Sequence, residues 1–298
     1  EKRKPQDGRF SATILGREYD FRISALPTLN GESIVIRILD KSKVMIKIED
    51  LGMHPENYVK FNEAMHTPYG IIFVTGPTGS GKTTTLYAAL NAIKSVQTKI
   101  ITVEDPVEYQ LNLTQQVQVN EKANLTFSSA LRSILRQDPD IIMIGEVRDK
   151  ITGDLTKKAI QSGHQVLTTV HATSAIGIID RFQDFGLSRS VLGSPHFLTG
   201  LIYQKLMPIV CPKCSTSFHD HINSENATKK DVDIYRRMTS IVPNLNKFNI
   251  KRRNENGCPH CKGSGIVGRT VCAEVVKIDI QMMQYIEQGK TLDLVLYW

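Results

Sequence analysis

The sequence predicts a mixed α/β protein with a central parallel sheet, a small antiparallel sheet before it and a cysteine-bearing element after it. Three observations lead there. From Tyr69 onward, short apolar runs alternate with helical patterns, as successive strand–helix units do. The first run, Ile71-Ile72-Phe73-Val74, feeds into Gly76-Pro77-Thr78-Gly79-Ser80-Gly81-Lys82-Thr83 and then a helix-like stretch. Residues 9–40 alternate apolar and polar side chains, which is how a half-buried antiparallel sheet reads.

The N-terminal strands are expected at 9–15, 19–24 and 33–39, with Asn30-Gly31 the stronger of two turn signals. They read as the end of a small α+β domain over residues 1–45. The chain opens on Glu1 in a charged run, so it reads as starting inside a longer protein. Residues 46–68 read as a linker with a short helix, and residues 69–207 as the α/β core. Core strands are expected at Ile71–Thr75, Lys99–Val103, Ile141–Ile144 and Gln165–Val170, and helices at Lys82–Lys94, Phe127–Arg136, Ile151–Gln161 and Ala175–Asp184. Residues 208–298 hold the cysteines and an amphipathic helical stretch from Asp279.

Gly76–Thr83 is G-x-x-x-x-G-K-T between a strand and a helix, the setting that makes it a phosphate cradle. Its glycines let backbone N–H groups turn inward at a helix N-terminus. The candidate nucleotide-binding residues are Gly76, Pro77, Thr78, Gly79, Ser80, Gly81, Lys82, Thr83 and Thr84. Lys82 would reach the β- and γ-phosphates of ATP or ADP, and the Thr83 hydroxyl would ligate Mg²⁺.

Ligands in open α/β sheets sit beyond the carboxyl ends of the strands, so the residues there are the next candidates. Gly145 stands where such sites commonly carry an Asp for Mg²⁺, and Glu146 follows it. Glu146 is the candidate water-positioning residue; its other role would be a salt bridge to a nearby Arg. Glu104 is the candidate substitute for the missing Asp, directly or through water, with Asp105 and Glu108 behind it. His171 could contact a γ-phosphate, whereas His164 precedes the same strand and belongs nearer the opposite edge. Phosphoryl transfer also needs cations beyond one Lys. Arg9, Arg22 and Arg37 in the small sheet, and Arg132, Arg136, Arg148 and Arg181 in the core, are candidates; each could equally be a surface Arg.

Cys211, Cys214, Cys258 and Cys261 form C-x2-C-x43-C-x2-C, suited to a structural tetrahedral Zn²⁺ in a reducing compartment. The long insertion reads as a mobile arm, and Gly263 and Gly265 as a tight loop feeding N–H groups to the sulfurs. Cys272 reads as a lone packed thiol. The formal net charge of +7 is spread over scattered Lys and Arg, with short clusters at Lys2-Arg3-Lys4 and Lys251-Arg252-Arg253, and says little about nucleic acid or membrane binding. No run approaches the roughly 18 apolar residues of a membrane helix.

Four boxes in order resemble the secretion ATPase superfamily that drives type II secretion and type IV pilus assembly. They are Gly76–Thr83, Thr102–Tyr109, Leu131–Asp140 leading into Gly145–Asp149, and Gly163–Thr173. The resemblance runs from about Asp7 to about residue 290, and the Gly145–Glu146 pair matches the family's atypical form. It implies a RecA-like P-loop ATPase domain with a small N-terminal α+β domain and a zinc-bearing C-terminal subdomain. It further implies a cytoplasmic ring, expected as a hexamer, at the inner membrane of a Gram-negative-type bacterium, with ATP between the small domain and the core. Arg22 and Arg37 would then donate charge from the small domain. An inner-membrane platform protein and an adaptor are the expected partners, pilin or pseudopilin is moved indirectly, and nucleic acid is not expected. The tetracysteine element points to assembly or secretion rather than retraction. Val271-Cys272-Ala273-Glu274 and Gln204-Lys205-Leu206 depart from the family pattern and suggest a divergent branch, such as the type IVb pilus systems. The alternatives are a pilus retraction ATPase, a RecA-like nucleic-acid translocase, and a scaffold that binds ATP without turning it over.

Overall fold

The computed structural model describes residues 3–40, 46–242 and 244–298; Lys2 of the first basic cluster and residues 41–45 of the first segment lie outside them. Three strands, β1 (Gln6–Ile14), β2 (Arg17–Thr28) and β3 (Gly31–Asp40), form an antiparallel sheet in sequence order. Their register sets Arg9 opposite Arg22, and Arg22 opposite Arg37. Side chains alternate faces along a strand, so the three arginines form one row on one face. The other face is apolar, with Phe10 stacked on Phe21 at 4.7 Å, and with Phe10, Ile34, Ile36 and Ile38 exposed.

After helix α1 (Pro55–Met65) the chain builds the large sheet. Its elements are β4 (Gly70–Thr75), α2 (Lys82–Ile93), β5 (Ile100–Glu104), β6 (Thr114–Gln118), α3 (Phe127–Ile134), β7 (Ile141–Ile144), α4 (Lys150–Gln161) and β8 (Gln165–Val170). Next come α5 (Gly177–Asp184), the short α6 (Arg189–Leu192) and the long β9 (Leu198–Val210). In the second compact unit, Lys205–Cys272, lie β10 (Thr216–Ser217), α7 (Phe218–Ile222), α8 (Lys229–Ile241) and β11 (Lys251–Arg252). β12 (Ile266–Lys277) leads back to the first unit, which ends in α9 (Ile280–Gln288) and α10 (Thr291–Tyr297).

The large sheet has seven strands in the order β12-β9-β4-β8-β7-β5-β6, and β9 through β6 in that order pair in parallel. The central strands β4, β5, β7 and β8 are buried along their whole length. They match the four expected strands to within a residue at each end. Three strands were not anticipated. β6 is Thr-Gln-Gln-Val-Gln on the sheet edge, where half-exposed polar residues suffice and no apolar run is needed. β9 and β12 cross into the cysteine-bearing region, where their apolar pattern fades.

Capping fixes the helices that frame the strand ends. Thr126 makes a capping box with Ser129 ahead of α3, and Asp149 caps α4 through the Thr152 N–H. Asp279 caps α9 through the Met282 N–H at 2.8 Å, starting the C-terminal helix where the sequence places it. α6 meets α9 closely at Gly193: an added Cβ would lie 2.8 Å from Met283 O and 2.9 Å from Glu287 N. Those are backbone atoms, which cannot swing aside. Gly193→Ala is therefore expected to cost about 1–3 kcal/mol and to lower the thermal midpoint; an unchanged midpoint would contradict this packing.

Candidate active site

The phosphate loop leaves β4 and enters α2. Gly76, Gly79 and Gly81 have φ of 144°, 76° and 83°, so the loop needs left-handed backbone where a side chain would be strained. Gly76 is constrained twice, since a Cβ there would lie 2.2 Å from Gln204 O on β9. Lys82 Nζ donates to Gly76 O at 3.0 Å and Pro77 O at 3.2 Å. Burial lowers the Lys82 pKa, and the nearby Glu146 carboxylate opposes that shift. The Ser80 hydroxyl is buried without a hydrogen-bond partner among the described residues. Thr78, Gly79, Lys82 and Thr83 line a cleft; Gly76 and Ser80 are buried behind it.

The same cleft is walled by Glu104 and Asp105 after β5, by Gly145, Glu146 and Arg148 after β7, by His171 after β8, and by Arg22 and Arg37. The cleft thus brings together Lys82, Glu104, Glu146, His171, Arg22 and Arg37. Glu146 is shared: Arg148 donates to its Oε1, while His171 Nε2 stands 3.8 Å from Oε2. Arg148 is largely solvated, so this pair holds Glu146 only weakly. Both roles considered for Glu146 are sterically compatible, one oxygen for each. The glycine before it is closely packed. A Cβ at Gly145 would press on Val103 O at 3.2 Å and Glu104 Cα at 3.4 Å, so an Asp there would crowd β5.

Glu104 is 2% exposed. Its Oε1 accepts from Thr102 Oγ1 at 2.6 Å and Gln116 Nε2 at 3.2 Å, and its Oε2 from the Tyr87 hydroxyl. One Oε2 lone pair remains for any further partner. Tyr87 itself accepts from the Glu108 N–H at 3.2 Å, and its ring meets Tyr109 edge-on at 4.5 Å. Burial raises the Glu104 pKa, while the Thr102, Tyr87 and Gln116 donors hold it down. Tyr87 and Gln116 were missed in sequence. The one signal was a tyrosine inside the phosphate-loop helix, which reads as core.

Asp105 docks the small sheet: Arg9 Nη2 donates to Oδ1 at 2.9 Å, and Arg22 Nη2 lies 3.5 Å from the same oxygen. That second separation is an ion pair too long to satisfy Arg22, whose Nε and Nη2 are buried without hydrogen-bond partners among the described residues. Burial lowers the Arg22 pKa, as do Arg9 and Arg37, against Asp105. Three cross-strand arginines facing one carboxylate repel one another unless an anion joins them. The other candidates lie elsewhere. Arg136, just past α3, donates to Arg132 O on that helix, Arg181 pairs with Asp184, and His164 bonds Ala159 O before β8.

In the second unit, the four Sγ atoms of Cys211, Cys214, Cys258 and Cys261 lie within 4.8 Å of one another. Cys211–Cys258 and Cys214–Cys261 are 3.8 Å apart, and Cys258–Cys261 3.7 Å. A tetrahedron with metal–sulfur bonds of about 2.3 Å has edges of about 3.8 Å, so the cluster could hold one metal ion. Against burial, N–H donors from Cys258 and Gly265, each 3.1 Å from Sγ, bring the Cys261 thiol down to about 6. Gly265 serves the sulfur as expected, whereas the Gly263 N–H goes to Cys258 O. The stretch expected as a mobile arm is folded into α7, α8 and the β10–β11 ladder, with His221 Nε2 3.2 Å from Asp231 Oδ2. Cys272, read as packed, is exposed.

The Glu104 environment has a signed consequence. Its carboxyl titrates above its ordinary value of 4.5 in the fold. The folded state then binds more protons than the unfolded state between those two values, so stability falls as pH rises through that window. Glu104→Gln removes this dependence. The stability of the wild type relative to Glu104→Gln, from denaturant unfolding at several pH values, should decline from pH 4.5 upward; a rising difference would contradict the burial argument.

A family model described as "Type II/IV secretion system protein" matches residues 1–295. Type II secretion system protein E of Dickeya dadantii (strain 3937) is 42% identical over 291 residues, 98% of this chain and 55% of that protein. Type II secretion system ATPase E of Vibrio cholerae serotype O1 is 38% identical over 286 residues, 96% and 54%. The chain spans about half the length of the curated relatives it matches. The solved structure of the pilus retraction motor PilT with bound ADP matches with a TM-score of 0.65 and 26% identity over 98% of this chain and 69% of that one. The Legionella pneumophila ATPase DotB shares the fold, with a TM-score of 0.62 at 21% identity over 98% and 68%. The order of boxes, the seven-stranded sheet and these matches agree, and the chain belongs to the type II/IV secretion system protein family.

Proposed function

We propose that this chain is the ATP-hydrolysing part of a Mg²⁺-dependent motor that drives pilin or pseudopilin assembly, in type II secretion or type IV pilus biogenesis. One observation carries the reading: the phosphate loop, the strand-end carboxylate of Glu146, and Arg22 and Arg37 line one cleft. The residues fit a polyphosphate. The loop has left-handed glycines, and among the described residues the Ser80 hydroxyl and the Nε and Nη2 of Arg22 have no hydrogen-bond partner.

Lys82 would exchange the carbonyls of Gly76 and Pro77 for the β- and γ-phosphate oxygens. The loop from Gly76 to Thr84 would donate backbone N–H groups to the phosphates. Mg²⁺, held by the Thr83 hydroxyl, would supply charge neutralisation at the phosphates. Glu146 would use Oε2 to orient the attacking water, with His171 beside it. Glu104 would reach the metal's water shell only through its remaining Oε2 lone pair. Arg22 and Arg37 would balance charge developing on the transferred group.

Further elements of the proposal rest on family membership. The motor would be a ring of identical chains, a hexamer, at the cytoplasmic face of the inner membrane, acting on a platform protein through an adaptor. Among the described residues no helix is long and apolar enough to cross a membrane. Zn²⁺ would occupy the four thiolates and leave no open position, so its role there is structural. The tetracysteine element favours assembly over retraction.

Lys82→Ala should abolish nucleotide binding and turnover together. Glu146→Gln should cut kcat by about a hundredfold or more while ADP affinity stays within about twofold of wild type; full activity in Glu146→Gln would remove that residue from the chemistry. For the knuckle, metal analysis of the purified chain should find about one Zn²⁺ per chain, and replacing all four cysteines by Ser should lower the stability of the second unit. Zinc-free protein with unchanged unfolding would exclude it.

A further inference from the structure

Gln204 is fully buried midway along β9 and meets the phosphate loop at two places and helix α2 at a third. Its Nε2 donates to Ser80 O at 2.7 Å. Its Oε1 accepts from Thr85 Oγ1, in the first turns of α2, at 2.9 Å. Its backbone oxygen occupies the space that a side chain at Gly76 would need. The partners fix the amide's orientation, because a carbonyl such as Ser80 O can only accept.

Peptide planarity makes the Ser80 contact directional. In a trans peptide the C=O and the following N–H point to opposite sides. Pinning Ser80 O to the Gln204 amide therefore turns the Gly81 N–H away from that side chain. Gly81 has φ of 83°, and as a glycine it has no Cβ to resist a flip of that peptide. The Thr85 bond anchors the other end of the same amide to α2, so loop and helix are held as one body.

We propose that Gln204 is a positioning residue for nucleotide binding, holding the Ser80–Gly81 peptide in the orientation that aims the Gly81 N–H at phosphate. This rests on the reading that the loop takes a nucleotide. Gln204 touches no substrate; it acts through the loop. Without its amide, Ser80 O is left buried and unpaired, and the peptide gains a second orientation that turns a carbonyl toward the phosphates.

The test is Mg·ADP affinity by calorimetric titration on the whole chain, for wild type, Gln204→Glu, Gln204→Met and Thr85→Val, at about pH 8 and about pH 5.5, because burial raises a carboxyl pKa. A carboxylate at position 204 faces Ser80 O acceptor to acceptor, whereas the protonated acid donates as the amide does. Gln204→Glu should therefore bind about tenfold more weakly than wild type at the higher pH and recover to within about threefold at the lower. Gln204→Met should be weakened at both, and Thr85→Val by about threefold. A merely structural role would give no acid rescue. The same deficit at both pH values in Gln204→Glu, or wild-type affinity in Gln204→Met, would overturn the proposal. If the Gln204 variants do not fold, wild-type affinity in Thr85→Val would overturn it. Failure of the wild type itself to bind Mg·ADP would instead overturn the nucleotide reading.

Discussion

Positive charge confined at one edge of the sheet is the constraint on which the rest of the site depends. Hairpin register sets Arg9, Arg22 and Arg37 side by side, and Lys82 sits partly buried across the cleft. Asp105 and Glu146 are the carboxylates that reach them. Like charges set side by side repel, most of all around Arg22, the least exposed of the three. A polyphosphate bound as proposed would supply further negative charge at this edge. The left-handed glycines serve the same end by directing backbone dipoles where side-chain cations do not reach.

Opposite that charge stands a wall built to stay put. Glu104 is held by Tyr87, Thr102 and Gln116, and Tyr87 rises from the phosphate-loop helix itself. The acidic segment after β5 is thereby tied to α2, and Asp105 is presented outward to the arginines. Close packing at Gly145 leaves little room there for a side chain, and Glu146 after it lines the cleft. A buried, satisfied polar network of this kind is rigid because any shift leaves a donor or acceptor unpaired.

Much of this was legible in sequence, and for local reasons. Buried central strands need continuous apolar runs, so β4, β5, β7 and β8 announced themselves, and the candidate residues just after them line one cleft. The loop glycines were legible because only glycine suits their backbone. What stayed hidden depends on contacts between residues far apart in sequence. Tyr87 looks like core until Glu104 is placed beside it, and Gln204 looks like strand filler until its amide is seen against Ser80. Polar β6 carries no periodic signal because an edge strand needs none. The arginine row was named residue by residue, but its alignment required the strand register.

The most direct measurement compares a non-hydrolysable ATP analogue with ADP, both with Mg²⁺, on the wild type and on Arg22→Gln and Arg37→Gln. If the arginine row exists to meet the terminal phosphate, each substitution should weaken the analogue about tenfold more than ADP. Equal losses for both nucleotides, or none, would contradict the electrostatic basis of the site.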